Sequence, residues 1–108
     1  MTTDSGSSTA AVRGSPIAAI GVGPNLDPRI YYLSADEHVQ ELAWVGEKWT
    51  QSDVTVRSGD AEPAMAGAPI AARGVGDNLD PHVYYVTQGG YAQELAWVGQ
   101  WTKGLLGN

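Results

Sequence analysis

The sequence predicts an all-β chain made of two four-stranded antiparallel units. Three observations carry this: a duplication through most of the chain, apolar runs of strand length, and turn-forming residues closing each run. Shifting the chain by 53 places lays Gly14–Gly46 on Gly67–Gly99 with 21 of 33 positions identical, and a one-residue deletion then brings Trp49-Thr50 onto Trp101-Thr102. Self-similarity at a period near 50 residues is the mark of a repeat architecture, in which one supersecondary unit is written more than once.

The elements follow in order within each copy. "PIAAIGV" (16–22) and "PIAARGV" (69–75) are short apolar runs, and "GPNLDP" or "GDNLDP" supplies the Gly, Asn, Asp and Pro of a turn. "RIYYL" (29–33) and "HVYYV" (82–86) are aromatic and β-branched, which suits a second strand. "SADEH" and "TQGG" turn the chain into "VQELAWV" (39–45) and "AQELAWV" (92–98), and a fourth strand starts at Trp49 or Trp101. A helix over "AQELAWV" is disfavoured, because each run ends after about seven residues, short of the ~10–12 a helix needs. Adjacent tyrosines in a strand point to opposite faces, so one of Tyr31-Tyr32 and one of Tyr84-Tyr85 is expected inside.

Four short antiparallel strands joined by hairpins make one propeller blade. The chain then divides into a flexible N-terminal segment (1–13), blade 1 (14–55), a linker (56–67) and blade 2 (68–108). Two blades expose flat faces and open edges, whereas closed propellers use roughly 4–8. Cyclic association of identical chains supplies the missing blades, six in a trimer and four in a dimer. Both closures stay open on the residues alone.

Composition narrows the function. Hydrophobic residues make up 43% of the chain and charged residues 17%, compatible with a folded core, although Phe is absent and four Trp and five Tyr carry much of the large apolar surface. The net charge is −6 with six Lys and Arg, which disfavours nucleic acid, a partner that needs clustered cations. With no cysteine there are neither disulfides nor thiolate metal sites. No apolar run approaches the ~18–20 residues of a membrane span, and residues 1–14 lack the pattern of a signal peptide. The expectation is a soluble protein, cytoplasmic or exported without a classical leader, that does not insert into membranes.

The repeated polar and aromatic set is Arg29, Glu41, Trp44 and Trp49 in the first copy and His82, Glu94, Trp97 and Trp101 in the second. Glycoside hydrolysis normally takes two carboxylates across the bond, and each copy repeats only one in a strand. No Ser-His-Asp or Cys-His set is evident, His38 and His82 lack metal-ligand spacing, and no calcium loop occurs. No catalytic residue, metal or cofactor is therefore assigned. A guanidinium, a carboxylate and indole rings suit a neutral sugar, which needs charge-assisted hydrogen bonds on its hydroxyls and a flat apolar face on its C–H side. The bland alternative is that the tryptophans are core, as aromatic residues in strands often are. Glu41 and Glu94 resist it, since a mid-strand carboxylate buried without a partner costs stability.

These residues resemble the fucose-binding six-bladed propeller lectins of the Aleuria aurantia lectin type, especially the small two-blade members from Ralstonia and Burkholderia. The resemblance rests on Arg29-Ile30-Tyr31, on Glu-x-x-Trp-x-Gly from Glu41 to Gly46, on Trp49 and on "WTKG" (101–104), in order and twice, from about Ser15 onward. It implies a trimer that binds L-fucose or fucosylated glycans multivalently and without calcium, at sites between adjacent blades. Site one would use Arg29 and Glu41 with Trp97 and Trp101 of the same chain. Site two would use His82 and Glu94 with Trp44 and Trp49 of a neighbouring chain.

Two departures bear on specificity. His82 stands where the family has Arg, removing a fixed fork of donors and predicting unequal sites. The Arg29-to-Glu41 spacing and the "GPNLDP" loop are also longer than in the small members. Two rival readings remain: a scaffold binding a protein through its aromatic face, and a lectin for another sugar.

Overall fold

The computed structural model describes residues 10–106. Eight strands form two four-stranded antiparallel sheets with strand orders β1-β2-β3-β4 and β5-β6-β7-β8. The first sheet comprises β1 (Ile17–Val22), β2 (Asp27–Leu33), β3 (Val39–Val45) and β4 (Lys48–Asp53). The second comprises β5 (Ile70–Val75), β6 (Asp80–Val86), β7 (Ala92–Trp97) and β8 (Trp101–Leu106). Every run that the sequence marks as a strand is one, and every connection within a sheet joins neighbours, as in a propeller blade.

The first hairpin shows why the duplicated loop is written as it is. Leu26 and Leu79 adopt left-handed backbone, with φ of 53° and 54°, and the Leu26 N–H donates to the Gly23 carbonyl at 3.1 Å. This closes a tight turn whose last residue leans over the facing strand. A Cβ at Gly21 would lie 2.8 Å from that of Leu26, and one at Gly74 2.7 Å from that of Leu79, so only glycine fits opposite the turn.

One feature departs from the strands-only reading. Between the sheets the chain makes one helical turn, α1 (Val54–Arg57), where the Asp53 carboxylate accepts from the Val56 N–H at 3.0 Å and so caps the turn. Val54 is fully buried, and with Ala61 and Ala64 it joins the core, so this connection is packed structure. Of the N-terminal segment expected to be flexible, residues 1–9 lie outside the described residues. Ala11 forms a bridge with Ser34, and the Val12 N–H donates to the Leu33 carbonyl at 2.9 Å.

Cross-strand pairing assigns each side chain to a face, because directly opposed residues point the same way. In the first sheet Arg29, Tyr31, Glu41 and Ala43 share one face and Leu42, Trp44 and Trp49 the other. The second sheet repeats this, with His82, Tyr84, Glu94 and Ala96 on one face and Leu95, Trp97 and Trp101 on the other. The core lies where unlike faces meet: Tyr31, Leu33 and Val39 of the first sheet pack with Ile70, Val83, Tyr85, Leu95 and Trp101 of the second. The sheets are also tied through backbone, by the Gly23 N–H on the Asn78 carbonyl (2.7 Å) and the Ala64 N–H on the Glu37 carbonyl (2.9 Å).

The two remaining faces look outward from this pair. Ile17 on the first sheet is 71% exposed, whereas Ile70, its counterpart in the second, is 8% exposed inside the joint. Tyr32 and Leu42, on the same outward face, are buried. Among the described residues no helix is long and apolar enough to cross a membrane.

Candidate functional site

A cavity of about 340 Å³ opens at the joint between the sheets, and Arg29, Glu41, Trp97 and Trp101 all line it. Arg29 and Glu41 come from β2 and β3 of the first sheet, and the two tryptophans from β7 and β8 of the second. The crossing follows from the packing of unlike faces: the Arg face of one sheet must look at the Trp face of the next.

Glu41 is held in place by its neighbours. Its Oε2 accepts from the Tyr31 hydroxyl at 2.8 Å and lies 3.9 Å from the Arg29 Nε, while its Oε1 accepts from the Ser52 hydroxyl at 3.4 Å. These partners answer the cost of burying the carboxylate, whose side chain is only 11% exposed. Burial, and then the negative Glu41, push the Tyr31 hydroxyl far above the ordinary tyrosine range, so it remains a donor. Arg29 also donates from Nη1 to the Trp44 carbonyl at 3.3 Å, which fixes the guanidinium against the sheet.

The tryptophans play unequal parts. Trp101 is buried in the core and meets Tyr31 edge-on, with ring centroids 6.5 Å apart, so it presents only a small part of its ring to the cavity. Trp97 is half-buried and crosses Trp101 at 69°, which leaves it the more open ring. Trp101 is therefore a core residue with one edge on the cavity wall.

Two further charged residues stand on the cavity wall. Arg57, at the end of α1, and Asp80, at the start of β6, line the same cavity. Arg57 has no counterpart in the second copy, and Asp80 sits in a stretch that reads as a turn, so repetition drew attention to neither. With Glu41, Asp80 brings a second carboxylate to a site where the repeat had suggested one.

The residues of site two are not brought together within one chain. Trp44 and Trp49, 5.6 Å apart between ring centroids, lie on the outward face of the first sheet, and His82 and Glu94 on the outward face of the second. The His82 Nδ1 lies 3.0 Å from the Glu94 Oε2. That bond, with one from Tyr84 and the nearby positive Arg73, holds the Glu94 carboxyl below the usual range against the opposing effect of burial.

One group among the described residues could hold a metal ion: Asp36, His38 and Asp53, whose ligand atoms lie within 4.8 Å of one another. Sequence spacing concealed it, since the hairpin between β3 and β4 carries Asp53 back beside His38. Its atoms already have partners, the His38 Nδ1 lying 2.8 Å from Asp53 and Asp36 accepting from Ser34.

The chain is similar to part of one curated protein, the fucose-specific lectin g276 of Arthrobotrys oligospora. The two are 31% identical over 91 residues, which cover 83% of this chain and 23% of that protein. The chain thus spans about a quarter of that relative's length. No family model and no solved structure matches it.

Proposed function

We propose that this protein is a carbohydrate-binding lectin for L-fucose and fucosylated glycans, acting without catalysis. The observation that carries the reading is the cavity in which Arg29 and Glu41 of one sheet face Trp97 and Trp101 of the next. The likeness to a fucose-specific lectin supports the choice of sugar. The Arg29 guanidinium donates to ring hydroxyls, Glu41 accepts from them, and the open face of Trp97 takes the apolar side of the sugar, including the C6 methyl of fucose.

In the proposed assembly, three chains of two sheets each close a six-bladed ring. The support is geometric: the outward faces of one chain repeat the two faces that already pack in its internal joint. Docking the Trp face of one copy on the His82 face of the next would cover Ile17 and bring Trp44 and Trp49 to His82 and Glu94. Backbone ties would recur as well, with the Ala11 N–H meeting the Gly90 carbonyl of the next copy, as Ala64 meets Glu37 within the chain. Single sugar sites bind weakly, and several on one ring raise avidity by ~10²–10⁴ on a multivalent surface.

A glycan array followed by calorimetry tests the sugar assignment, and native mass spectrometry tests the ring. Binding to fucosides by a trimer is expected, and no binding to any fucoside by an intact oligomer would overturn the assignment. Arg29→Ala separates the lectin from a protein-binding scaffold: loss of sugar with unchanged oligomer mass favours the lectin. Turnover of an aryl fucoside would instead make the Glu41 and Asp80 carboxylates a catalytic pair.

A further inference from the structure

We propose that Arg73 supplies the cation of the second sugar site, performing from β5 the task that Arg29 performs from β2 in the first. The inference rests on the lectin reading above and concerns how its two classes of site differ.

The duplication breaks at Ile20 against Arg73 and at Arg29 against His82. The register sets these two differences side by side. Ile20 is the direct cross-strand partner of Arg29, and Arg73 is that of His82. An aliphatic side chain beside a guanidinium in the first copy has become a guanidinium beside an imidazole in the second. The cation has moved one strand along the sheet and stayed on the same face.

The new position engages the same polar set. The Arg73 Nε donates to the Tyr84 hydroxyl at 3.3 Å, and Tyr84 is the direct cross-strand partner of Glu94, whose Oε2 lies 3.0 Å from His82. In the first copy Tyr31 bonds Glu41 beside Arg29. Each half-site therefore sets a guanidinium, a phenol and a carboxylate on one face of its sheet. Arg73 is exposed, and the terminal nitrogens of its fork have no hydrogen-bond partner among the described residues.

The ligand class stays that of a neutral polyol, but the donor fork stands about one strand spacing, ~4.8 Å, from its place in the first site. It meets a different hydroxyl of a sugar seated on the neighbouring copy's Trp44 and Trp49. The two classes of site consequently rank epimeric sugars in different orders.

Calorimetry of the intact oligomer with methyl α-L-fucoside and its epimers tests this. Arg73→Ile writes the residue that the first copy carries at that position. It is expected to weaken one class of site by about tenfold or more, as loss of a charge-assisted bond does, while Arg29→Ala weakens the other. The double variant Arg73→Ile/His82→Arg carries the cation back to the position of Arg29 and should shift the epimer ranking of the second class towards that of the first. Should Arg73→Ile alter the oligomer mass, Arg73→Gln keeps length and polarity and is read the same way. If Arg29→Ala removes a class and neither Arg73 variant changes the other, the proposal falls and the lectin reading stands. If fucoside binding is absent throughout, the lectin reading falls first.

Discussion

Glu41 shows how a single residue ties a buried hydrogen bond to the cavity it lines. Its bond from Tyr31 is buried and charge-assisted, a type whose removal costs about 1.5–3 kcal/mol. Tyr31→Phe should lower stability by that order in a urea titration and weaken fucoside binding at site one, because the carboxylate loses the partner that aims it. Unchanged stability would mean that Ser52 and Arg29 suffice. Glu94 makes a prediction in pH. Its carboxyl is held low, so the stabilisation from its partners is complete above the ordinary carboxylate range and is lost as pH falls through the lowered value. An acid titration of His82→Gln beside the parent should show the variant losing less stability below about pH 4.5. At this scale the sequence reveals what it repeats. Glu41, Trp97 and Trp101 were legible because each recurs at an equivalent place, and Arg29 because its type completes a polar set with them. Arg57 has no mate, and Arg73 was hidden because it is where the copies disagree.

Strands and hairpins were legible almost throughout, since period-two alternation and turn residues are local signals. The α1 turn was not, because Val54-Thr55-Val56-Arg57 has a β-branched composition that argues for a strand. Its helical form depends on the Asp53 cap and on burial of Val54, and both are contacts that sequence alone does not display. Hairpin geometry yields a prediction at this level. Gly21→Ala would force a methyl group to within 2.8 Å of the Leu26 Cβ and should cost about 1–3 kcal/mol, measured by thermal or chemical unfolding. Gly74→Ala should cost a similar amount against Leu79. An effect of only a few tenths would mean that the turn can open without disturbing the sheet.

For the molecule as a whole, the decisive residue is Ile17, exposed on one outward face while Ile70 is buried in the equivalent place. Ile17→Glu should leave the two-sheet chain folded and block its proposed joint with the next copy, because a carboxylate would replace an aliphatic group at a covered position. Native mass spectrometry should then find monomers, and calorimetry should retain the class of site that contains Arg29. A trimer that persists would place the ring contact elsewhere. The closure number was never legible in one copy, since it depends on the angle between successive sheets and not on any residue pattern.

The bond from the Gly23 N–H to the Asn78 carbonyl joins two equivalent loops within one chain, and in a closed ring the Gly76 N–H would meet Asn25 of a neighbour in the same way. Linked by peptide, such a seam survives dilution; held only by association, it does not. A lectin assembled like this carries a concentration threshold in its architecture. Under the proposed function, each chain would grip one sugar and let go far below the threshold, and above it the same residues would hold a glycan-coated surface.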